Sequence, residues 1–268
     1  MHGRLPLPSF LQINPRESSP RTTPPGSNYS RQSKRCGMTV TPKLAVVIPV
    51  YNELHTLEAI VTKLHLLPFA IEVIVVDDAS TDGTRAVAQR LADTHQIQLI
   101  CHPHNQGKGA AIRSALGVVQ APVVVIQDAD LEYDPHDFVA MLAKIDAGAD
   151  VVYGTRFGRG MPKGMLLSHF VANRLLTLCF NLSYGSHLSD LETCYKMWRT
   201  TVLAGISIDN DRFDIDPELT AKVVRSGYTI HEVPVAYQGR PYRAGKKIRP
   251  RDAFSALVAI WRYRHWHK

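Results

Sequence analysis

The sequence predicts an α/β protein built on a mostly parallel sheet that helices cover on both faces. From Lys43 onward, short continuous apolar runs alternate with segments in which apolar residues recur at helical spacing. The connections between them are short, as expected for parallel strands joined by crossover helices. With 268 residues, 45% of them hydrophobic, the chain can form one large domain of this kind, or two small ones, with a real core.

Six strands are predicted where apolar runs are short and unbroken. Leu44–Val50 has the continuous apolar character of a strand buried on both faces of a sheet. Val73–Val76 is similar and is closed by Asp77 and Asp78. The predicted strands are, in chain order, Leu44–Val50, Val73–Val76, Gln98–Cys101, Val123–Ile126, Asp150–Tyr153 and Tyr228–Val235.

Seven helical segments are predicted from apolar residues three or four positions apart. The last is amphipathic, because it is apolar on one side and ends in basic residues. No stretch reaches the roughly 18 uncharged apolar residues of a membrane-spanning helix. The predicted helices lie, in chain order, around Leu54–Leu64 and Val87–Leu91, over Gly109–Val119, around Phe138–Ile145, and over 165–184, Pro217–Ser226 and Ala253–Trp266.

Composition divides the chain into three regions. Residues 1–42 are rich in Ser, Pro, Arg, Gly and Thr and are predicted to be a disordered tail. Met38 lies just before the first strand, and we expect translation to begin there, with the residues before it as an upstream extension. Residues 43–238 are predicted to form the domain. Residues 239–268, a basic loop and the amphipathic helix, are predicted to complete it.

The net charge of +7 is unevenly distributed along the chain. Residues 1–37 carry +5 and residues 239–268 carry +8, so residues 38–238 carry −6. A domain that binds duplex nucleic acid would be expected to carry its basic face on the fold itself. The acidic body therefore argues against a nucleic-acid partner.

The cysteines and the N-terminal segment favour a cytoplasmic protein. The four cysteines show no CxxC pair and no metal-ligand spacing, which is typical of a reducing compartment. The apolar residues of segment 5–11 are too few for a signal peptide and are interrupted by Pro6 and Pro8.

Acidic side chains follow three of the predicted strands. Glu53 follows the first strand, Asp77 and Asp78 the second, and Asp128 and Asp130 the fourth. In an open parallel sheet, ligands bind beyond the carboxyl ends of the strands. Clustered carboxylates repel one another unless a cation compensates them, so the sequence predicts a ligand site at this edge.

A divalent cation is predicted at the end of the fourth strand. Asp128 and Asp130 flank a small residue and can hold an oxygen-preferring ion such as Mg²⁺ or Mn²⁺, with coordination positions left for phosphate oxygens and water. A solvated acidic turn is the alternative. The other two acidic strand ends favour the metal site.

Four ordered motifs resemble family 2 glycosyltransferases, which have the Rossmann-like GT-A fold. They are Val-Ile-Pro-Val-Tyr-Asn-Glu (47–53), Val-Val-Asp-Asp-Ala-Ser-Thr-Asp-Gly-Thr (75–84), Asn-Gln-Gly-Lys-Gly-Ala-Ala (105–111) and Gln-Asp-Ala-Asp-Leu-Glu-Tyr-Asp-Pro (127–135). Segments 151–157, 190–196 and 239–248 make the chain most similar to the dolichol-phosphate mannosyltransferase branch, whose members load a sugar onto a polyprenyl phosphate. The resemblance runs from about Lys43 to the C-terminus.

The resemblance implies a nucleotide pocket. Pro49, Tyr51 and Glu53 would line it, and Val76 and Asp78 would hold the base and the ribose.

The resemblance also implies a metal and diphosphate site. Asp128 and Asp130 would bind Mg²⁺ or Mn²⁺, and the backbone of Ala129 would lie at the diphosphate. Glu132 would be a further metal ligand, although relatives often have Gln or another polar residue at its position.

The implied reaction is an inverting transfer of a hexose from a nucleotide sugar, GDP-mannose first and UDP-glucose second, to polyprenyl or dolichyl phosphate. Arg156, Arg240 and Lys246 match basic positions that meet the donor diphosphate and the acceptor phosphate. Together with the metal, they would stabilise the charge on the leaving diphosphate. A phosphate acceptor is ionised near neutral pH and needs no general base. The expected catalytic residues are therefore Asp130, Arg156, Arg240 and Lys246.

Three alternatives stay open. A hydroxyl acceptor in a cell-surface glycan or lipid would require a carboxylate base, for which Asp190, Glu192 and Asp216 are the candidates. A non-catalytic nucleotide-binding regulator would bind nucleotide without turnover. A nucleotidyltransferase would release pyrophosphate, but no Gly-rich GxGTR-type loop occurs at the first strand.

Lys108 is interpreted as part of a tight turn that opens a helix. Gly109 follows it directly, which does not fit the phosphate-binding GxxxxGK[ST] pattern.

Two segments are candidates for contact with a membrane surface. The helix 253–266 carries Phe254 and Trp261 beside Arg262, which suits an interfacial anchor on an anionic leaflet. Segment 165–184 is the second candidate, and an ordinary packed helix is the alternative for each. We expect peripheral association with the inner face of the membrane and leave open a membrane partner protein.

Overall fold

Seven strands form one mixed sheet in the computed structural model, which describes residues 41–240, except 159, 163 and 213, and residues 250–267. The strands are β1 (Leu44–Val50), β2 (Ile71–Asp77), β3 (Gln98–Cys101), β4 (Val123–Ile126), β5 (Val151–Thr155), β6 (Lys196–Arg199) and β7 (Ile230–Pro234). They lie in the order β3-β2-β1-β4-β6-β5-β7. The predicted tail, apart from residues 41 and 42, and Lys246 of the predicted basic loop lie outside the described residues.

Eight α-helices occur in the described part of the chain, and each predicted helix is among them. They are α1 (Leu57–His65), α2 (Thr84–Asp93), α3 (Lys108–Leu116), α4 (Phe138–Asp146), α5 (Leu167–Tyr184), α6 (Thr200–Leu203), α7 (Ile215–Arg225) and α8 (Pro250–Arg262). None of these helices is both long enough and apolar enough to cross a bilayer.

The central strand β1 is buried on both faces, as its unbroken apolar run predicts. Leu44 and Ile48 are fully buried, and so are the three residues between them. β1 pairs in parallel with β2 on one side and β4 on the other, so three strands end at the same edge of the sheet. This confirms the predicted α/β architecture with a mostly parallel sheet.

Strand β6 and the short helix α6 were not predicted. β6 is only four residues long, and a charged residue stands at each end of it, Lys196 and Arg199. It runs antiparallel to both β4 and β5. Its beginning, rather than its end, therefore lies at the edge where β4 and β5 end.

Helices α5, α7 and α8 pack around a second apolar cluster that includes Leu176, Phe180 and Ile260. Both α5 and α8 also carry exposed apolar stripes on the side opposite this packed face, since the exposed residues recur at helical spacing. The stripe on α5 is Leu167, Val171, Leu175, Leu178 and Leu182, and the stripe on α8 is Phe254, Leu257, Val258 and Trp261.

Candidate functional site

The candidate site lies at the edge where the parallel strands end. Backbone conformations that L-residues rarely adopt occur just beyond three of these strands: Asn52 after β1, Ala79 after β2 and Leu131 after β4 all have φ between 54° and 61°. Strained backbone of this kind persists only where the surroundings hold it, and it concentrates at functional sites. The turns that carry the predicted ligands are therefore fixed by their packing.

Glu53, predicted to line the nucleotide pocket, is held from two directions. Its backbone N–H donates to Thr84 Oγ1, and Thr56 Oγ1 donates to its carboxylate. Arg240 binds the same carboxylate through both terminal nitrogens, at 3.1 and 3.2 Å. Pro49 is half-buried beside it and Tyr51 is exposed at the rim. The structure thus brings Glu53 and Arg240 together, although they lie far apart in the sequence.

Asp78 and Val76, predicted to hold the base and the ribose, lie deeper. Val76 is fully buried in the core and Asp78 is nearly so. The Asp78 carboxylate accepts the backbone N–H groups of Gln106 and Gly107, each at 2.8 Å, and lies 2.7 Å from His102 Nδ1. Its contacts therefore anchor the turn before α3, and its role toward a nucleotide stays a prediction.

Lys108 opens α3, as its interpretation as part of a helix-opening turn predicts, and its side chain also reaches the end of β4. Its Nζ lies 2.9 Å from Asp128 Oδ1, and its side chain is largely buried. Burial by itself lowers the pKa of Lys108, but the nearby acidic groups, Asp128 first, together outweigh it and hold the pKa well above its ordinary value. For Asp128, burial raises the pKa, but Lys108, and after it Cys194 and Lys196, together lower the pKa below its ordinary value. Both groups are therefore charged.

The position of Lys108 depends on the two glycines beside it. Gly107 adopts φ +103°, and a Cβ on Gly107 or Gly109 would lie within 2.3 Å of the backbone of Asp211 or Asn210. The N–H of Gly109 donates to Asp211 O at 2.8 Å. Only residues without a side chain allow this close approach, so Gly-Lys-Gly was the sequence signal for a fixed lysine.

Asp130 carries the least compensated charge at the end of β4. Burial and the nearby charges of Asp128 and Glu132 raise its pKa to about 7. Arg240 Nη2 approaches it only to 3.4 Å. Glu132 is better satisfied, because its carboxylate accepts the Tyr237 hydroxyl and the backbone N–H of Arg240. Three carboxylates thus share one small region.

This donor set fits a divalent cation held by few protein ligands. The raised pKa of Asp130 reflects burial and carboxylate repulsion, and a cation would relieve the repulsion. Carboxylate oxygens are the ligands that Mg²⁺ and Mn²⁺ prefer. No cluster of three His, Cys, Asp or Glu side chains with metal-binding geometry occurs among the described residues. Asp128 and Asp130 would therefore hold the ion together with non-protein oxygens, and Ala129 is buried between them.

Arg156, predicted to meet phosphate, is bound to Asp190. Its Nε and Nη2 each lie 2.7 Å from a carboxylate oxygen of Asp190, which is fully buried. Burial raises the pKa of Asp190, but Arg156 and the hydrogen bond from Asn173 together more than offset this and hold the pKa below 3.8. Asp190 is thus an ionised partner for Arg156, which does not suit it to act as a general base.

The other two carboxylates considered as bases differ from each other. Asp216 lies 2.6 Å from Lys196 Nζ, which is fully buried. Glu192 has a buried oxygen, Oε1, with no hydrogen-bond partner among the described residues. Glu192 lies on the segment that leads into β6 and therefore reaches the edge of the sheet where β4 ends.

Comparison with known proteins agrees with this architecture. The model of the family "Glycosyl transferase family 2" matches residues 45–184. The polyprenol monophosphomannose synthase of Mycolicibacterium smegmatis is 30% identical over 219 residues, which cover 77% of this chain and 81% of that protein. The dolichol-phosphate mannosyltransferase of Pyrococcus furiosus is 25% identical over 239 residues, which cover 84% of this chain and 64% of that protein.

A solved structure shares the fold. Glucosyl-3-phosphoglycerate synthase from Mycobacterium tuberculosis, in complex with Mn²⁺, uridine diphosphate and glucosyl-3-phosphoglycerate, matches with a TM-score of 0.59 and 19% identity. The match covers 83% of this chain and 80% of that one. Because the family model matches residues 45–184 and the two relatives above align over most of the chain, this chain belongs to glycosyl transferase family 2 and is a glycosyltransferase.

Proposed function

We propose that this glycosyltransferase moves a hexose, with inversion, from a nucleotide sugar to polyprenyl phosphate, with GDP-mannose as the first donor and UDP-glucose as the second. One observation carries the proposal: Arg240 joins Glu53, predicted for the nucleotide pocket, to Asp130, predicted for the metal site. A cation at this junction is suited to the diphosphate that connects nucleoside and sugar. The names of the relatives from Mycolicibacterium smegmatis and Pyrococcus furiosus support mannose and a lipid phosphate.

The leaving group determines most of the chemistry. A nucleoside diphosphate gains negative charge as its bond to the sugar breaks, so cations positioned beforehand lower the barrier. Asp128 and Asp130 would hold Mg²⁺ or Mn²⁺, which supplies Lewis-acid stabilisation of that charge. Lys108 keeps Asp128 ionised and in place, and Arg240 is positioned to turn from its carboxylates toward the diphosphate.

The acceptor requires positioning rather than proton removal. A phosphate monoester is already anionic near neutral pH, so it can attack the anomeric carbon directly, and a single displacement inverts the configuration. Asp190 and Asp216, two of the candidate bases for a hydroxyl acceptor, are each bound to a cation. Their pairing supports the phosphate acceptor over the hydroxyl acceptor.

A lipid acceptor brings the enzyme to a membrane surface, for which α5 and α8 are the proposed contacts. Ten of the thirteen exposed large apolar side chains among the described residues lie on these helices or directly before α5. Arg174, Arg262 and Arg264 are exposed beside them. Apolar stripes with flanking cations suit the anionic cytoplasmic leaflet, so we assign an anionic lipid bilayer as the partner of this surface.

A transfer assay tests the proposed reaction. Radiolabelled GDP-mannose or UDP-glucose is offered with short-chain polyprenyl phosphate and Mn²⁺ or Mg²⁺. Label is expected in the organic phase, and EDTA is expected to abolish it. Donor binding without any lipid labelling would rule out this acceptor, and product that forms unchanged in EDTA would rule out the metal.

Vesicle binding tests the membrane surface separately. Trp261→Glu places a charge in the α8 stripe, and removal of one large apolar contact is expected to weaken binding to anionic vesicles about tenfold or more. The control is Leu66→Glu, since Leu66 is equally exposed but lies after α1. Wild-type binding that is equal for anionic and neutral vesicles, or a dimer that Trp261→Glu dissociates, would contradict the assignment.

A further inference from the structure

Among the described residues, the three largely buried cations at the candidate site are each paired with an acidic side chain. Each pair joins one basic and one acidic side chain, and each comes from distant parts of the sequence. They are Lys108 with Asp128 at 2.9 Å, Arg156 with Asp190 at 2.7 Å, and Lys196 with Asp216 at 2.6 Å. These pairs balance their own charge, so none of these three cations is left for a further carboxylate.

Glu192 is that further carboxylate. The groups that face it are Asp190 on its own segment, Arg156 after β5, Lys196 at the start of β6 and Asp216 on α7. Burial, and then the charge of Asp216, raise its pKa to about 7. Its Oε1 accepts no hydrogen bond from the residues that the structure describes.

Such a group is costly for the fold. A buried polar atom without a partner loses its hydration and gains nothing in return. Native proteins keep few such atoms, and each calls for an explanation such as a ligand. Glu192 is also only partly buried as a residue, in contrast to the adjacent Thr193. The residue thus reaches the surface, although its Oε1 is itself buried.

The charges around Glu192 select the kind of ligand. A phosphate would be repelled by ionised Glu192, because the neighbouring cations Arg156 and Lys196 are already paired with Asp190 and Asp216. A neutral group with several hydroxyls supplies the missing donors without adding negative charge, and a carboxylate accepts such donors strongly. In the proposed reaction, the hexose is the neutral, hydroxyl-rich part of the substrates.

We propose that Glu192 binds hydroxyl groups of the hexose on the donor and so contributes to sugar specificity. This inference rests on the proposed function, because it takes a nucleotide sugar as the donor. It assigns the carboxyl to substrate binding rather than to proton removal from an acceptor.

Binding of two ligand pairs to Glu192→Gln tests the inference. Titration calorimetry with Mn²⁺ compares GDP with GDP-mannose and UDP with UDP-glucose, so that no acceptor is needed. For the donor that the wild-type chain prefers, the sugar nucleotide is expected to bind about tenfold more weakly to the variant. The nucleoside diphosphate alone is expected to bind within about twofold of wild type. Glu72→Gln is the control, because Glu72 only caps the backbone N–H groups of Gln120 and Ala121.

Thermal unfolding separates this role from a structural one. A raised pKa in the folded state means that ionised Glu192 destabilises the fold increasingly between its unfolded value of 4.5 and about 7. Glu192→Gln is therefore expected to raise the unfolding temperature, and to raise it more at pH 8 than at pH 5. A structural carboxylate would give the opposite change.

Four outcomes would overturn the inference. Equal binding of the sugar nucleotide by variant and wild type would show that Glu192 makes no contact with the hexose. If the variant also lost binding of the nucleoside diphosphate and unfolded at a lower temperature than wild type, Glu192 would have a structural role. A fall in kcat with unchanged donor binding would show a proton-transfer role. A wild-type chain that binds neither ligand of either pair would refute the proposed function and this inference with it.

Discussion

Replacement of Asp130 by Asn is expected to lower the transfer rate by about 10²–10³-fold, the range seen when one preorganised electrostatic contact to the transition state is lost. Asparagine keeps the shape of the side chain and an oxygen that can accept the backbone N–H of Glu132, now 3.0 Å from Asp130 Oδ1. It lacks the charge that would hold a divalent ion. The measurement is the initial rate of label transfer, together with donor binding in the presence and absence of Mn²⁺.

Asp134→Asn is the matched control for this change. Asp134 lies on the same acidic segment, but its carboxylate is half exposed and caps the backbone N–H of His136, a contact that asparagine can also make. We expect this variant to retain wild-type activity. Asp130→Asn is also expected to unfold at no lower temperature than wild type, since it removes a repelled charge. Full transfer activity in Asp130→Asn would refute the metal-binding role of this residue.

Replacement of Arg156 by Met is expected to destabilise the fold by about 3–5 kcal/mol at pH 7. The change leaves the buried charge of Asp190 without a cation. Removing one partner of a buried ion pair costs far more stability than replacing both. Urea unfolding followed by circular dichroism gives the free energy of unfolding. The double variant Arg156→Met/Asp190→Asn is expected to recover most of the loss, because it removes the stranded charge.

The loss should depend on pH in a defined direction. In the wild-type chain, the pKa of Asp190 lies below its unfolded value of 3.8. Its ionised form therefore stabilises the fold above about pH 4, and this contribution is lost as the pH falls through the folded pKa. Without Arg156, burial raises that pKa instead. The difference between variant and wild type should therefore be smallest well below pH 4, where Asp190 is protonated in both chains, and should grow to its largest value near pH 7. A pH-independent difference would contradict the role of the ion pair.

Much of the fold follows from the sequence because its strands are short, apolar and joined by helices of clear periodicity. The apolar run of Leu44–Val50 predicts a strand buried on both faces, and the structure has that strand at those residues. Strand β6 cannot be predicted from the sequence in this way. Four residues that begin with Lys196 do not resemble a buried strand until the partners of that lysine, two backbone carbonyls and Asp216, are known.

The sequence predicts the site residues that follow parallel strands, but it does not predict which charged side chains form ion pairs with each other. Glu53 and Asp130 follow parallel strands and therefore lie at one edge, as predicted. The sequence does not show that Arg156 binds Asp190 or that Lys108 binds Asp128, because these partners come together only through the order of the strands. Glu192 was not placed at this edge from the sequence, because it precedes β6. This strand runs antiparallel, so its start rather than its end lies at that edge.

Helix α8 shows a similar limit of prediction from the sequence, because it has two apolar sides. Sequence periodicity identified the exposed stripe that contains Phe254 and Trp261 and left a packed helix as the alternative. The structure shows a packed side with Ala256 and Ile260 and an exposed side opposite it. The alternatives were not exclusive, because small residues form the inner side and large residues the outer one.

The direction of β6 also affects how this enzyme can diversify. The chain leaves the sheet at the end of β5 and returns at the beginning of β6, and both points lie on the same edge. The excursion between them carries α5 and can gain or lose residues without moving any strand pairing. Since α5 lies on that excursion, the outer surface that we propose for bilayer contact can change while the strands keep their register. Exchange of residues 157–188 between related chains would therefore test whether this segment determines the proposed membrane binding.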